Sequence, residues 1–301
     1  MIVLGSRKPV TEQMASEAVA KTFEEIKQAL RVTGISLNFR TYAAYERFFP
    51  LMWAAMRPNV ETRAFEEAAD RLREEAVHAA AGMERLSVLA RAQLGESQAF
   101  QAENALLLYH YLNPKLLIFQ AALARALEQD TPEPRAGKAA GSAELIERGA
   151  PARMPPMEMV EEPADDPVVR RTLRDIRHTL SLEETHSDYR TLALWPRYLS
   201  AAWQRMKPIV KTDGYDTACV RLGEAARRLA QTLPHPIELS RELVGREGED
   251  ADALLADTKR FETALPGLIL NVSLLVLDWQ APELARRSPF PAKARSRTEA
   301  L

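Results

Sequence analysis

Apolar residues recur every three or four positions along most of the chain, with strong helix formers between them. EAVAKTFEEIKQALRV, FEEAADRLREEAVHAAAGMERLSVLARAQL and LGEAARRLAQTL each carry such a stripe, which predicts amphipathic helices. Alternating apolar and polar residues bounded by hairpin turns are hard to find, so the fold class is all-α. The most apolar stretch, LPGLILNVSLLVLDW from Leu265 to Trp279, is too short and too closely bounded by charge to span a bilayer, and is expected to be a buried core helix. Between Asp130 and Asp166 the chain turns rich in Pro, Ala, Gly and acid without sustained periodicity, and reads as a long connection able to wrap one part of the molecule around another.

The helical pattern occurs twice. NFRTYAAYERFFPLMWAAMRPNVET from Asn38 lies over DYRTLALWPRYLSAAWQRMKPIVKT from Asp188 with nine identities in 25 positions, among them Arg40/Arg190, Trp53/Trp203, Pro58/Pro208 and Thr62/Thr212. Composition alone would give about two. The expected organisation is therefore two pseudo-symmetric helical repeats, 10–130 and 167–283, with a linker over 131–166 and a tail over 284–301, and a functional site between the repeats. Pro58 and Pro208 should end or kink their helices at matching places. A weaker match sets YLNPKLLIF (Tyr111–Phe119) over TALPGLILN (Thr263–Asn271), aligning Pro114 with Pro266. Each proline is expected at the start of a helix, where its missing N–H costs nothing, which puts Asn113 just before a helix N-terminus.

Composition narrows the partners. Forty basic residues against 42 acidic ones, with no dense basic block, leave no electrostatic footprint for nucleic acid. One cysteine, Cys219, and an N-terminus without a charged-then-apolar leader point to a reducing cytoplasm rather than secretion or a membrane. No phosphate-binding loop or dinucleotide fingerprint is present, so no cofactor is expected. Monomer and homodimer both remain open.

Candidate chemistry sits where the repeats differ. Asp188 is a carboxylate whose counterpart is the amide Asn38, and Asn113 is an amide whose counterpart is Leu265. An Asp and an Asn from different halves can hold one water between them: burial raises the proton affinity of the carboxylate, and the amide orients the water without neutralising it. Taken alone, Ser or Asp at Ser187 and Asp188 is more often a helix N-cap.

HSDYRTLALWPRYLSAAWQRMKP from His186, YLNPKLLIF from Tyr111 and RSPFP from Arg287 resemble, in order, the group I 2-haloacid dehalogenases, which act on D- or on both enantiomers of 2-haloalkanoic acids. The resemblance implies an all-α fold of two pseudo-repeats and a small-molecule 2-haloacid substrate. It further implies direct attack on C2 by a water activated by Asp188 with help from Asn113, inversion, and Ser187 holding the substrate carboxylate. The family places a tryptophan and a bulky apolar residue along the substrate pocket where this chain has Gly34 and Leu37, with Ile35 between them a further substrate-binding candidate. Losing an indole N–H removes a donor to the developing halide, so a wider pocket for larger acids is expected at Gly34. Phe261 is a further candidate wall. The competing reading is a non-catalytic helical small-acid-binding protein that kept the pocket and lost the reaction.

Two Glu-x-x-His spacings, Glu75/His78 and Glu183/His186, lack the additional carboxylates a di-metal bundle needs, and no metal is expected. Arg40 and Arg190 read as structural ion-pairing residues rather than substrate clamps. Trp53 and Trp203 read as core anchors.

Overall fold

The computed structural model describes residues 7–132 and 142–296. Parts of the expected linker (133–141) and tail (297–301) lie outside the described residues, as do 1–6. The described residues form α-helices and short connections, with two isolated β-bridges and no strand.

The helices are α1 (Glu17–Leu30), α2 (Leu37–Tyr42), α3 (Phe48–Val60), α4 (Arg63–Ala81), α5 (Leu89–Ala92), α6 (Glu96–Glu128), α7 (Pro167–Thr179), α8 (Ser187–Leu192), α9 (Pro196–Ile209), α10 (Asp213–Ala230), α11 (Arg241–Arg246), α12 (Ala251–Trp279) and α13 (Pro282–Ala285). Matched sequence positions make matched local structure. Thr62 and Thr212 cap α4 and α10, each hydroxyl accepting from the backbone N–H three residues on. Trp53 and Trp203 are each 4 % exposed, and their indole N–H groups donate to Glu25 and Asp175, which also occupy matching positions. Pro58 and Pro208 lie in the last turns of α3 and α9.

The long helices α6 and α12 pack along each other, with α4 and α10 against both. Buried apolar side chains from every long helix form one continuous cluster. Helix α12 is longer than its apolar stretch suggests. At 29 residues it has the length and apolarity of a membrane span, but 78 % of its most apolar window is buried inside the protein. Burial therefore marks it as a core helix, not shortness.

The expectation that Pro114 and Pro266 start helices is overturned. Both lie well inside α6 and α12. A proline there removes one helical hydrogen bond, at a cost of about 3 kcal/mol or more. For Pro114 the carbonyl left free is that of His110, and Nε of the fully buried Arg73 on α4 donates to it at 3.0 Å. A side chain from a neighbouring helix thus replaces the missing backbone donor, and α6 continues.

The described part of the connection follows a defined path. The carbonyls of Ser142 and Glu144 accept from the first N–H groups of α4, donors that the helix itself leaves unpaired. Further on, Thr33 donates to the carbonyl of Pro155, and Thr191 on α8 donates to that of Glu158. The connection thus runs from α4 across the α1–α2 turn to α8. The RSPFP segment is also anchored: the Phe290 ring packs edge-on against Tyr111 at 5.5 Å, and its carbonyl accepts from Arg31.

Candidate active site

Asn113 projects from the middle of α6 and Asp188 from the first turn of α8. Their side chains meet, with Asn113 Nδ2 donating to Asp188 Oδ2 at 2.6 Å. Both are buried. Because Pro114 does not start a helix, Asn113 is not a residue ahead of an N-terminus; its amide faces the interior from a continuous helix. Asp188 is not a cap either. The N-cap of α8 is His186, which makes no side-chain capping bond, and Ser187 and Asp188 are the first two helical residues. The Asp188 carboxylate is thus free to bond across the helix interface.

Neighbouring bonds hold this pair in place. Tyr189 OH accepts from Asn271 on α12 at 2.8 Å, and Thr191 is bonded to Tyr109 on α6 at 2.7 Å. Two residues past Asn113, Lys115 pairs with Glu66 at 2.7 Å and donates to the carbonyl of Leu30 at 3.0 Å. Short α8 is therefore tied to both central helices, and α6 is tied to α4 and α1.

Burial disfavours the ionised form of Asp188 and raises its pKa from 3.8 to about 6, against the opposing hydrogen bond from Asn113. His186 is held below its ordinary value, at about 4, by desolvation and by the charge of Arg260. At neutral pH the site thus has one basic carboxylate beside a neutral imidazole.

Asp188, Asn113, Ser187, Leu37 and Phe261 all line one cavity of about 30 Å³, enough for a water molecule. Tyr109, Leu112, Leu116, Leu265 and Leu268 complete much of its wall. Sequence reasoning missed these, although Tyr109 and Leu116 lie four and three residues from Asn113 on α6, and Leu265 lies four beyond Phe261 on α12. A second cavity of about 670 Å³ shares Leu37, His186, Phe261 and Leu268 with the first. Lys259 and Arg260 also line it.

Residues 33–189 match the family described as "Halocarboxylic acid dehydrogenase DehI". The chain belongs to the DehI family. An (R)-2-haloacid dehalogenase of Pseudomonas putida is 29 % identical over 276 residues, covering 88 % of this chain and 90 % of the relative. A configuration-inverting 2-haloacid dehalogenase of Pseudomonas sp. (strain 113) is 30 % identical over 229 residues, 75 % of each chain. Among solved structures, a D-2-haloacid dehalogenase in complex with L-LA superposes with a TM-score of 0.84 at 25 % identity, covering 93 % of this chain and 98 % of that one.

Gly34 departs from expectation for this DehI-family chain. A Cβ built on it would lie 2.6 Å from Met157 Cβ, so the connection already fills the space a larger residue would take. Gly34 lines neither cavity, and Met157 takes the space expected to widen the pocket. Ile35 is buried but is likewise absent from both walls. Arg190 pairs with Glu161 at 3.6 Å and donates to the Val160 carbonyl; neither Arg190 nor Arg40 lines the small cavity. Glu75 and His78 border a surface groove between α4 and α10, away from His186. Among the described residues no three His, Cys, Asp or Glu side chains cluster to hold a metal.

Proposed function

We propose that this chain is a hydrolytic 2-haloacid dehalogenase in which Asp188 is the general base and Asn113 orients the attacking water. The 2.6 Å contact between these two buried side chains carries the reading. The names of the relatives support the substrate class and the inversion. Water oxygen bonds to C2 from the side opposite the halogen as the C2–halogen bond breaks. The electron pair leaves with the halide, and a water proton passes to Asp188 and then to solvent. A carboxylate with its pKa near 6 is ionised at neutral pH yet a stronger base than an exposed aspartate. Ser187, beside Asp188 on the cavity wall, holds the substrate carboxylate. The acid reaches this point from the larger cavity, past the shared residues Leu37, His186, Phe261 and Leu268, which part to admit it because the space of about 30 Å³ holds only a water. The recurrence of helix bounds and caps in the two halves supports an arrangement of two pseudo-symmetric repeats with the site between them.

The absence of an aromatic ring at Gly34, with Met157 in its place, favours the competing reading of a small-acid-binding protein without activity. Halide release from a panel of D- and L-2-haloacids separates the two. A single turnover in heavy-oxygen water, with enzyme in excess, then tests the mechanism. Direct attack puts the label in the 2-hydroxy acid and not in the protein, whereas unlabelled product requires an ester on Asp188 and overturns the assignment of Asp188 as base.

A further inference from the structure

Asn38 is the counterpart of Asp188, each being the second residue of its helix. It lines the same small cavity as Asp188 and Asn113 and is only 3 % exposed. Its amide oxygen accepts from the Ser36 hydroxyl at 2.6 Å. Its amide nitrogen has no hydrogen-bond partner among the described residues, although a buried unpaired donor costs on the order of 1–3 kcal/mol. Such a group is kept where a ligand supplies the acceptor. With the Ser36 hydroxyl donating to the amide oxygen, the N–H end is the free one and is strengthened as a donor. In a cavity that already contains a carboxylate, the N–H end is also the one that would not repel a second anion.

Resting on the dehalogenase reading above, we propose that Asn38 receives the departing halide, donating from Nδ2 to the halogen as negative charge develops on it. A neutral donor suits this task because the halogen carries little charge in the bound substrate and a full charge after displacement, so the bond strengthens as the reaction proceeds.

The test is leaving-group dependence. Replacement Asn38→Leu conserves bulk and removes both the orphan donor and the acceptor, so the variant should fold. We expect kcat for 2-chloropropionate to fall about 10- to 100-fold, with a loss of about threefold or less for 2-bromopropionate, whose leaving group needs less help. KM should stay within about twofold for both, and bromide should weaken at least tenfold as a competitive inhibitor. Asn38→Ser, which keeps a small donor, should fall between and provides the comparison if the leucine variant is unstable. Equal losses for both halogens, a raised KM with kcat kept, or no change would each overturn the role of Asn38 while leaving the reaction intact. Wild-type protein that releases no halide from any 2-haloacid would overturn both proposals.

Discussion

Asp188 should make the folded protein less stable than it would be with a neutral side chain in its place. Its carboxyl is displaced from 3.8 to about 6 by burial, and at 1.36 kcal/mol per pH unit that gap is worth about 3 kcal/mol. The sign follows from proton binding. Between about pH 4 and 6 the folded protein holds a proton on Asp188 that the unfolded chain has released, so this group's stabilising contribution is complete below pH 4 and disappears as pH rises through 6. Asp188→Asn keeps an oxygen to accept from Asn113 and abolishes the titration. Urea unfolding at pH 8 should show the variant more stable by up to about 3 kcal/mol, or a Tm on the order of 5 °C higher. At pH 4 the difference should shrink towards zero; other carboxylates titrate in both proteins and cancel in the comparison. Halide release should fall at least about 100-fold in the same variant. A gain in stability coupled to a loss of activity is what a destabilised functional group produces. A variant less stable than wild type at pH 8, or a difference that does not change with pH, would refute the account of the Asp188 environment.

Other substitutions test separate parts of the structure. Asn113→Ala removes the hydrogen bond that lowers the pKa of Asp188, so the acid limb of kcat/KM should move above about pH 6 while halide release at neutral pH falls on the order of 100-fold; a pH–rate profile reads both. Gly34→Ala drives a methyl against Met157 Cβ and should lower stability by about 1–3 kcal/mol in denaturant titrations, whereas an open pocket would make it neutral. Arg73→Met should cost about 1–3 kcal/mol by stranding the His110 carbonyl, and clearly less in a Pro114→Ala background, where a backbone N–H can take over that carbonyl; a double-mutant cycle measures the difference.

The helices were legible in the sequence because their information is local: the stripe of apolar residues and the threonine caps lie within a few positions of the elements they specify. Asp188 and Asn113 could be singled out because the two matching stretches of sequence supply an internal comparison, and each differs from its counterpart. What could not be read depended on distant partners. Pro114 looks like a helix start until Arg73 is seen bonding the carbonyl it frees. Gly34 looks like an open space until Met157, from the far end of the connection, is found against it. Tyr109, Leu112 and Leu265 are ordinary core residues by type, and only their position around the cavity distinguishes them. Asn38 was visible only as a foil for Asp188, since an unpaired amide hydrogen has no signature in sequence.

The difference between Asn38 and Asp188 also determines the electric field inside the cavity. With a carboxylate on one wall and an amide N–H on another, the cavity is polarised, and a bond whose electrons shift during displacement experiences a fixed direction of pull. Different groups at two matched positions, Asp188 against Asn38 and Asn113 against Leu265, all on the wall of one cavity, give it a preferred direction of charge flow.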